Sequence, residues 1–328
     1  MKKFLLIAAV AIVGGYFAAK FYVQHQTKKA VDQIIALMPA GVAVVYDDVT
    51  SAIDGSLYVG GISVKLADFQ NRLAIDAVGI QLPSFLDVLS LHDLPGRVLS
   101  GRGELPRSGS FFVDGLTLDV YHDYFAALLD TLNTVAMAET GGDLPTVEAD
   151  PASYCVAGFS WTPSELGEYG FNNIQASMTY AYEQLDDSFV LSMDFEWPEV
   201  YEVQLRAEFQ GQVDRVLASV NPRLVINRFS YVVSDNFVTS VTYPRCAKLG
   251  VSREAAKAAH LQSIVQSFAS AGIVVDDRIK MPLERAIEQE HRVIDISGEP
   301  PSPVDLSRVG LYKPEDMPAL FGIDITSR

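Results

Sequence analysis

The sequence is poor in the side chains that most enzymes use for chemistry. Its 328 residues include two cysteines and five scattered histidines, so no group of them has the spacing of a zinc site. Phosphate-binding GxxxxGKS/T and GxGxxG loops, the HExxH motif and the GxSxG nucleophile elbow are all missing. We therefore predict no catalytic residue, no metal site and no cofactor, and a protein that is not an enzyme.

Basic side chains are scarce beyond the first 29 residues. That stretch holds five lysines and no acidic residue, which leaves 20 basic against 41 acidic side chains in the rest of the chain. A field of that sign repels phosphate backbones, so we expect no nucleic-acid partner. It also disfavours a domain that lies flat on an anionic lipid surface.

The two cysteines, Cys155 and Cys246, stand 91 residues apart and lack CxxC spacing. Two lone, distant cysteines in an exported domain are typical of one structural disulfide. The alternative is a pair of buried free thiols. We expect the disulfide, on the condition that the domain is exported.

The longest apolar run lies at the N-terminus, over residues 4–23, with Lys20 as its one charged side chain. Its 20 positions match the ~20 residues that a helix needs to cross a bilayer. The alternative is a cleaved signal peptide, but Tyr16 and Phe17 place bulky side chains where cleavage requires small ones. Residues 1–23 are therefore predicted to be an uncleaved transmembrane anchor.

The predicted anchor sets the topology of the remaining chain. Lysines are nearly balanced on its two sides, and the short N-terminal flank together with the cysteine pair favours a cytoplasmic N-terminus. We expect a bacterial inner-membrane protein that contacts the cytoplasmic membrane through residues 4–23. A juxtamembrane helix over 24–40 then leads to a periplasmic, strand-rich domain over 41–328.

Beyond residue 41 the pattern is dominated by β-strands. Short turn-rich connections favour an antiparallel meander over βαβ units, hence an α+β fold with a mainly antiparallel sheet, curved or open and barrel-like. The predicted strands are Val42–Tyr46, Leu57–Val64, Leu73–Leu82, Phe111–Val120, Ile174–Tyr182, Phe189–Trp197, Val203–Phe209, Leu224–Val233, Phe237–Tyr243 and Arg292–Ile296.

Helical patterns punctuate these strands and dominate the C-terminal region. Helices are predicted over 84–91, 124–138, 253–271 and 276–290, with Ser252 as an N-cap. Residues 314–325 give no clear pattern. An acidic loop at 139–152 is a possible internal boundary, so the strands could form one sheet or two.

Aromatic side chains concentrate in the strands between residues 169 and 209. Tyr180 and Tyr182 are two residues apart, as are Phe195 and Trp197, so each pair shares one face of a sheet. These four residues are either part of an ordinary sheet core or the lining of an apolar groove, as a strand-built lipid carrier would need.

Several short patterns occur together near the N-terminus. The anchor is followed by V-x-Y-x-x-V at residues 44–49, a glycine-turned hairpin at 54–57 and the strand VGGISV at 59–64; a later piece, FSYVVSDNF, spans 229–237. Together these resemble the AsmA/TamB-type envelope proteins and, as a second match, the YdgA-like periplasmic group. The resemblance covers about a quarter of the chain.

The resemblance implies a curved antiparallel sheet with an apolar concave face, which in that family is associated with phospholipid movement or outer-membrane homeostasis. This chain departs from the family in its short length, its helical C-terminal region and its cysteine pair. No functional residue of the family carries over.

The expected function is that of a non-enzymatic, membrane-anchored periplasmic protein whose apolar sheet surface binds or transports lipid. The alternative is a structural or scaffolding subunit of an envelope protein complex. A hydrolase with an unrecognised site is a third hypothesis, and it would require a convergent cleft of His, Asp and Ser.

Overall fold

The computed structural model describes the backbone and side chains of most, but not all, of the chain. The described ranges are 2–67, 72–90, 105–122, 125–127, 150–156, 161–213, 216, 223–270 and 274–328, with the backbone alone for 2–14, 66, 90 and 270. The helix predicted over 124–138 and the boundary predicted near 139–152 lie largely outside these ranges.

The strands in the described ranges form a single antiparallel sheet, which confirms the predicted α+β class. Its strand order is β1-β3-β4-β5-β6-β7-β8-β9-β10-β12, with β2 paired to β3 and β11 paired to β9. The strands are Val42–Val45 (β1), Asp48–Ser51 (β2), Ser56–Leu66 (β3), Leu73–Gln81 (β4), Ser108–Asp119 (β5), Asn173–Gln184 (β6), Ser188–Trp197 (β7), Tyr201–Gln210 (β8), Val225–Asp235 (β9), Val293–Gly298 (β10), Val304–Asp305 (β11) and Ile323–Ser327 (β12).

Helices precede the sheet, interrupt it and follow it. The described α-helices are Lys2–Ala36 (α1), Phe85–Ser90 (α2), Pro151–Val156 (α3), Pro163–Glu168 (α4), Tyr243–Lys248 (α5), Arg253–Ser270 (α6), Asp277–Gln289 (α7) and Met317–Phe321 (α8). Pairing residues on antiparallel strands face the same side, so the register sorts side chains into two faces. One face is apolar, and helices cover its margins.

The opposite face is polar across β6 to β9. One row that crosses these strands consists of Thr179, Asp194, Gln204 and Val232, and the next consists of Ala181, Ser192, Arg206 and Ser230. This contrast follows from the alternation of apolar and polar residues in β8 and, from Leu191 onward, in β7. It explains why one face attracts covering helices and the other faces solvent.

A line of alternating aspartate and glycine residues crosses the N-terminal strands. Gly61 and Gly115 have φ values of 61° and 62°, and a Cβ on either would lie 2.1 Å from the carboxylate of Asp47 or Asp76. In β5 this line is a bulge, because Asp114 and Gly115 together oppose Ser177 of β6. We call Asp47, Gly61, Asp76 and Gly115 the Asp-Gly seam.

The bulge in β5 keeps apolar side chains on one face. Val113 pairs with Met178 and Leu116 pairs with Ala176. Because Met178 and Ala176 are two residues apart in a regular strand, Val113 and Leu116 face the same side although three positions separate them. The seam therefore allows the apolar face to continue along the full length of these strands.

The predicted disulfide is confirmed. Cys155 of α3 and Cys246 of α5 are joined, with 5.1 Å between their Cα atoms, and both are buried beside Tyr243 and Ala256. The bridge fixes helices that come from either side of β6 to β9 against the N-terminal part of α6.

One predicted strand was wrong, and one segment had been left without an assignment. Residues 237–243 form a π-helical turn, Val238–Thr242, that leads into α5 instead of a strand. The Asp235 carboxylate accepts a hydrogen bond from Val238 N at 3.2 Å, and this bond turns the chain out of β9. The segment 314–325, which had no clear pattern, contains α8 and the start of the edge strand β12.

Helix α1 docks on the edge of the sheet. Val23 is buried with Leu57 and Leu82, and Tyr46 Oη lies 2.8 Å from Lys28 Nζ and 2.5 Å from Asp32 Oδ1. Among the residues whose side chains the structure describes, no helix is long and apolar enough to span a bilayer. Much of the predicted anchor, residues 4–14, lies outside that set.

Candidate functional site

The apolar face carries an unbroken transverse row of apolar and aromatic side chains. Successive strand pairings place one residue from each of nine strands in line. The row consists of Leu57, Ile80, Phe111, Tyr180, Met193, Leu205, Tyr231, Ile296 and Ile325. The neighbouring row on the same face is equally long and consists of Val49, Val59, Val78, Val113, Met178, Phe195, Val203, Val233 and Ile294.

The two ends of this row are buried, while its middle faces solvent. Leu57 packs in a cluster with α1 and α2, and Ile325 packs against α7. Between them, Phe111, Tyr180 and Leu205 expose 42%, 45% and 38% of their surface. Leu191, one row further along the same face, exposes 39%. We call Phe111, Tyr180, Leu191, Met193 and Leu205 the apolar strip.

The strip is bounded at both strand ends by packed clusters. At one end Trp161, Leu118 and Val241 form a core to which Phe171 and Phe237 add aromatic rings. At the other end Phe189 and Phe209 stack, with ring centroids 5.4 Å apart, beside Ile226 and Val304. The exposed strip is thus a gap between covered regions, which makes it a candidate ligand surface.

The register places all four predicted groove residues on this face. Phe195 pairs with Met178, and Tyr180 pairs with Met193, so Tyr180, Tyr182, Phe195 and Trp197 face the same side. Their surroundings differ, however, and only Tyr180 belongs to the exposed strip.

The other three groove residues are partly covered. Tyr182 packs into the cluster around Phe189, and its hydroxyl donates to the Pro106 carbonyl at 3.1 Å. Trp197 joins an aromatic cluster, with its ring centroid 5.8 Å from that of Phe171 and 6.2 Å from that of Phe237. These residues form the ends of the apolar face, and their role as a groove lining stays a prediction.

Four members of the strip, Phe111, Leu191, Met193 and Leu205, were not identified from the sequence. The alternation in FVLSMDFEW and YEVQLRAEF assigns Leu191, Met193 and Leu205 to the face of Phe195. The exposure of these side chains, however, depends on where the helices cover the sheet, and alternation does not specify that.

The electrostatics of this face are those of a low-polarity surface. Burial raises the pKa of the Tyr201 phenol and the pKa of the Asp235 carboxyl, which pair across β8 and β9 at one end of the face. In the strip itself, the Tyr180 hydroxyl is the one oxygen or nitrogen atom among the side chains. Such a surface suits contact with hydrocarbon and offers no nucleophile or base.

Chemistry of other kinds finds little support in the described part of the chain. There, no group of three or more His, Cys, Asp or Glu residues is placed to hold a metal ion. A shallow cavity of about 490 Å³ opens mainly on the polar face, lined by Ser110, Ala181, Ser192 and Arg206 among others. The guanidinium of Arg206 is 3.9 Å from Glu183 and mostly exposed.

Comparison with known proteins gives no independent guide to the role of this surface. The chain matches no protein-family model and no curated protein.

Proposed function

We propose that this chain is a non-enzymatic, membrane-anchored envelope protein whose apolar strip accommodates the hydrocarbon chain of a lipid. The observation that carries the proposal is the transverse row, which is continuous over nine strands and exposed only at its centre. Contiguous exposed apolar surface is unfavourable in water, and it marks a candidate site for a ligand or partner.

The dimensions and chemistry of the strip favour a lipid chain. From β5 to β8 the exposed part crosses three inter-strand spacings, or about 14 Å. Its side chains are flexible aliphatics and two aromatic rings, with one hydroxyl at Tyr180. A protein partner would also require polar atoms at the rim for specific hydrogen bonds, whereas a hydrocarbon chain requires none.

The polarity of the rest of the molecule supports the same assignment. The charge balance beyond residue 29 keeps the domain soluble, so an anchor would place a soluble domain next to a supply of lipid. The apolar run over residues 4–23 supports such an anchor on the inner membrane.

Photocrosslinking of the full-length chain tests the proposal. The protein is placed in nanodiscs that contain a phospholipid with a diazirine in its acyl chain, and labelled peptides are located by mass spectrometry. We expect labels on β5 to β8 at strip positions. Leu205→Asp should lower this labelling by about tenfold. A bound acyl chain would cover the new carboxylate and remove its water, which is strongly unfavourable.

The matched control is Gln204→Asp, which adds the same charge to the adjacent position on the polar face. It should leave labelling unchanged, and both variants should melt at the wild-type temperature because both sites are exposed. Equal labelling of the two variants would contradict lipid binding on the strip. Unlabelled strands combined with a stoichiometric co-purifying protein would favour the scaffolding alternative.

A further inference from the structure

A second apolar surface lies at one corner of the domain, where α1 meets the sheet. Tyr16, Ala19 and Val23 of α1 pack against a cluster that contains Leu57 and Phe85. The rings of Tyr16 and Phe85 meet edge to face, with centroids 5.3 Å apart. Helix α1 is therefore docked on the domain from Tyr16 onward.

Several large apolar side chains around this docked segment are exposed. Ile53, in the turn between β2 and β3, and Leu86, in α2, each expose 73% of their surface. On α1, Phe17, Phe21 and Tyr22 are exposed as well. We call Ile53, Leu86, Phe17, Phe21 and Tyr22 the corner patch.

The backbone brings the two domain segments of the patch together. A Cβ on Gly55 would lie 2.2 Å from the Leu82 carbonyl oxygen, so the β2–β3 turn touches the chain that enters α2. Gln81 Nε2 also donates to the Asp54 carbonyl at 2.6 Å. Ile53 and Leu86 therefore belong to one fixed surface.

The part of α1 that precedes the docked segment is too short to cross a bilayer by itself. If residues 4–23 form the proposed anchor, only the 12 residues from 4 to 15 precede the docked segment. They span about 18 Å at 1.5 Å per residue. The hydrocarbon core of a bilayer is about 30 Å thick. The docked part of α1, and the domain surface beside it, must therefore lie within the remaining apolar thickness and its interface.

We infer that the corner patch is a membrane-inserting surface, with Ile53 and Leu86 at the boundary between lipid headgroups and acyl chains. The rings of Tyr16 and Tyr22 resemble the tyrosines of the belt that marks bilayer interfaces.

This inference rests on the proposed anchor and extends the proposed function. Leu57, the first residue of the transverse row, lies in the same cluster as Val23 and Phe85. The row therefore starts at the membrane-inserted corner and leads to the apolar strip.

Spin-label accessibility in the full-length chain tests the inference. Both native cysteines are in the disulfide, so Ile53→Cys or Leu86→Cys introduces a single reactive thiol. The control is Leu249→Cys, an exposed apolar position that follows α5 at the opposite end of the strands. Nanodiscs of phosphatidylethanolamine and phosphatidylcholine carry the labelled protein.

We expect labels at 53 and 86 to be relaxed by oxygen far more than by a water-soluble nickel chelate, and the label at 249 to show the reverse. Chelate accessibility at 53 and 86 equal to that at 249 would overturn the inference. If the chain nevertheless stays in nanodiscs after alkaline washing, only the membrane-inserting corner would be overturned, and the proposed anchor would stand. A chain that never associates with nanodiscs would overturn both proposals.

Discussion

At the scale of single residues, Arg245 joins α5 to α3 and to the start of α4. It is 2% exposed, and its guanidinium carbon lies 4.2 Å from the ring centroid of Trp161 and 4.7 Å from that of Tyr154. Its Nε atom donates to Glu165 Oε1 at 3.2 Å. Planar stacking and a directed hydrogen bond together require a guanidinium.

We predict that Arg245→Lys lowers the free energy of unfolding by about 2 kcal/mol, because an ammonium group cannot stack between two rings and also reach Glu165. Urea denaturation measures the change. Lys248→Ala is the control, since Lys248 pairs with Glu168 and lies over the Tyr169 ring in a similar way but at the surface. If both variants lose the same stability, burial is not the reason for the importance of Arg245.

Elsewhere at this scale, sequence patterns predicted some contacts and missed others. Ser252 accepts from Ala255 N at 3.2 Å, as its position before α6 predicted. The capping box of α4, in which Thr162 and Glu165 bond each other's backbone N–H groups, was present as T-P-S-E but was not recognised. The partners of Arg245 come from segments about 80 to 90 residues earlier in the chain, and no local pattern predicts them.

At the scale of elements, the Asp-Gly seam controls how β5 joins β6. Gly115 requires the left-handed backbone region, and the space that a Cβ would occupy is taken by the Cβ and carboxylate of Asp76. Ser177 Oγ accepts from Gly115 N at 3.2 Å and donates to Asp114 Oδ1 at 2.7 Å. The bulge is therefore specified by side chains on both of its neighbouring strands.

We predict that Gly115→Ala destabilises the protein by about 2–3 kcal/mol, from backbone strain and the clash with Asp76 combined. Gly170→Ala is the matched control, because Gly170 also has a positive φ but has open space where the Cβ would be. Its melting temperature should fall less. Adding Asp76→Gly to Gly115→Ala should restore part of the loss, and the absence of such rescue would contradict a steric origin.

Strands were the elements best predicted from sequence, because alternation in β7 and β8 follows directly from one buried and one exposed face. Residues 237–243 were misassigned for a physical reason. Valine and tyrosine favour strands, but Val241 and Tyr243 are equally suited to the buried face of a helix, where tertiary packing overrides their preference. The edge strand β12 is short, and only its pairing with β10 defines it.

At the scale of the whole molecule, the pH dependence of stability is set by groups whose pKa values in the fold differ from their usual values. Hydrogen bonds from Arg253 and Lys257 lower the pKa of Glu290 to about 2, and burial lowers the pKa of His260. Both groups stabilise the fold in their deprotonated forms, so both contributions are lost as the pH falls. Asp235 acts in the opposite direction, because burial raises its pKa.

We predict that the free energy of unfolding is flat near neutral pH and declines below about pH 6.5, where His260 takes up a proton in the unfolded chain more readily than in the fold. It declines again below about pH 4.5, where Glu290 is protonated in the unfolded chain while the folded protein keeps it ionised. Urea midpoints across this range measure the profile. His260→Gln should abolish the first decline and keep the second. A first decline that persists in this variant would show that another group causes it.

The sequence did not show whether the strands form one sheet or two, because that depends on pairing between distant parts of the chain. Composition and turn chemistry predict antiparallel neighbours, but the pairing of β5 with β6 crosses more than 50 residues between the end of one strand and the start of the next. The same long-range pairing creates the transverse row. The apolar strip therefore depends on the complete fold and could not be located before the register was known.

The docking of α1 also determines the working range of the protein. The helix is continuous from Lys2 to Ala36, about 52 Å, and the bonds at Tyr46 join its far half directly to the sheet. On the proposed function, the domain is held rigidly on its anchor helix and cannot move away from the membrane. Such a protein does not carry lipid between distant membranes. It keeps the lipid-binding strip at a constant distance from one membrane, and an acceptor of the lipid must bind there.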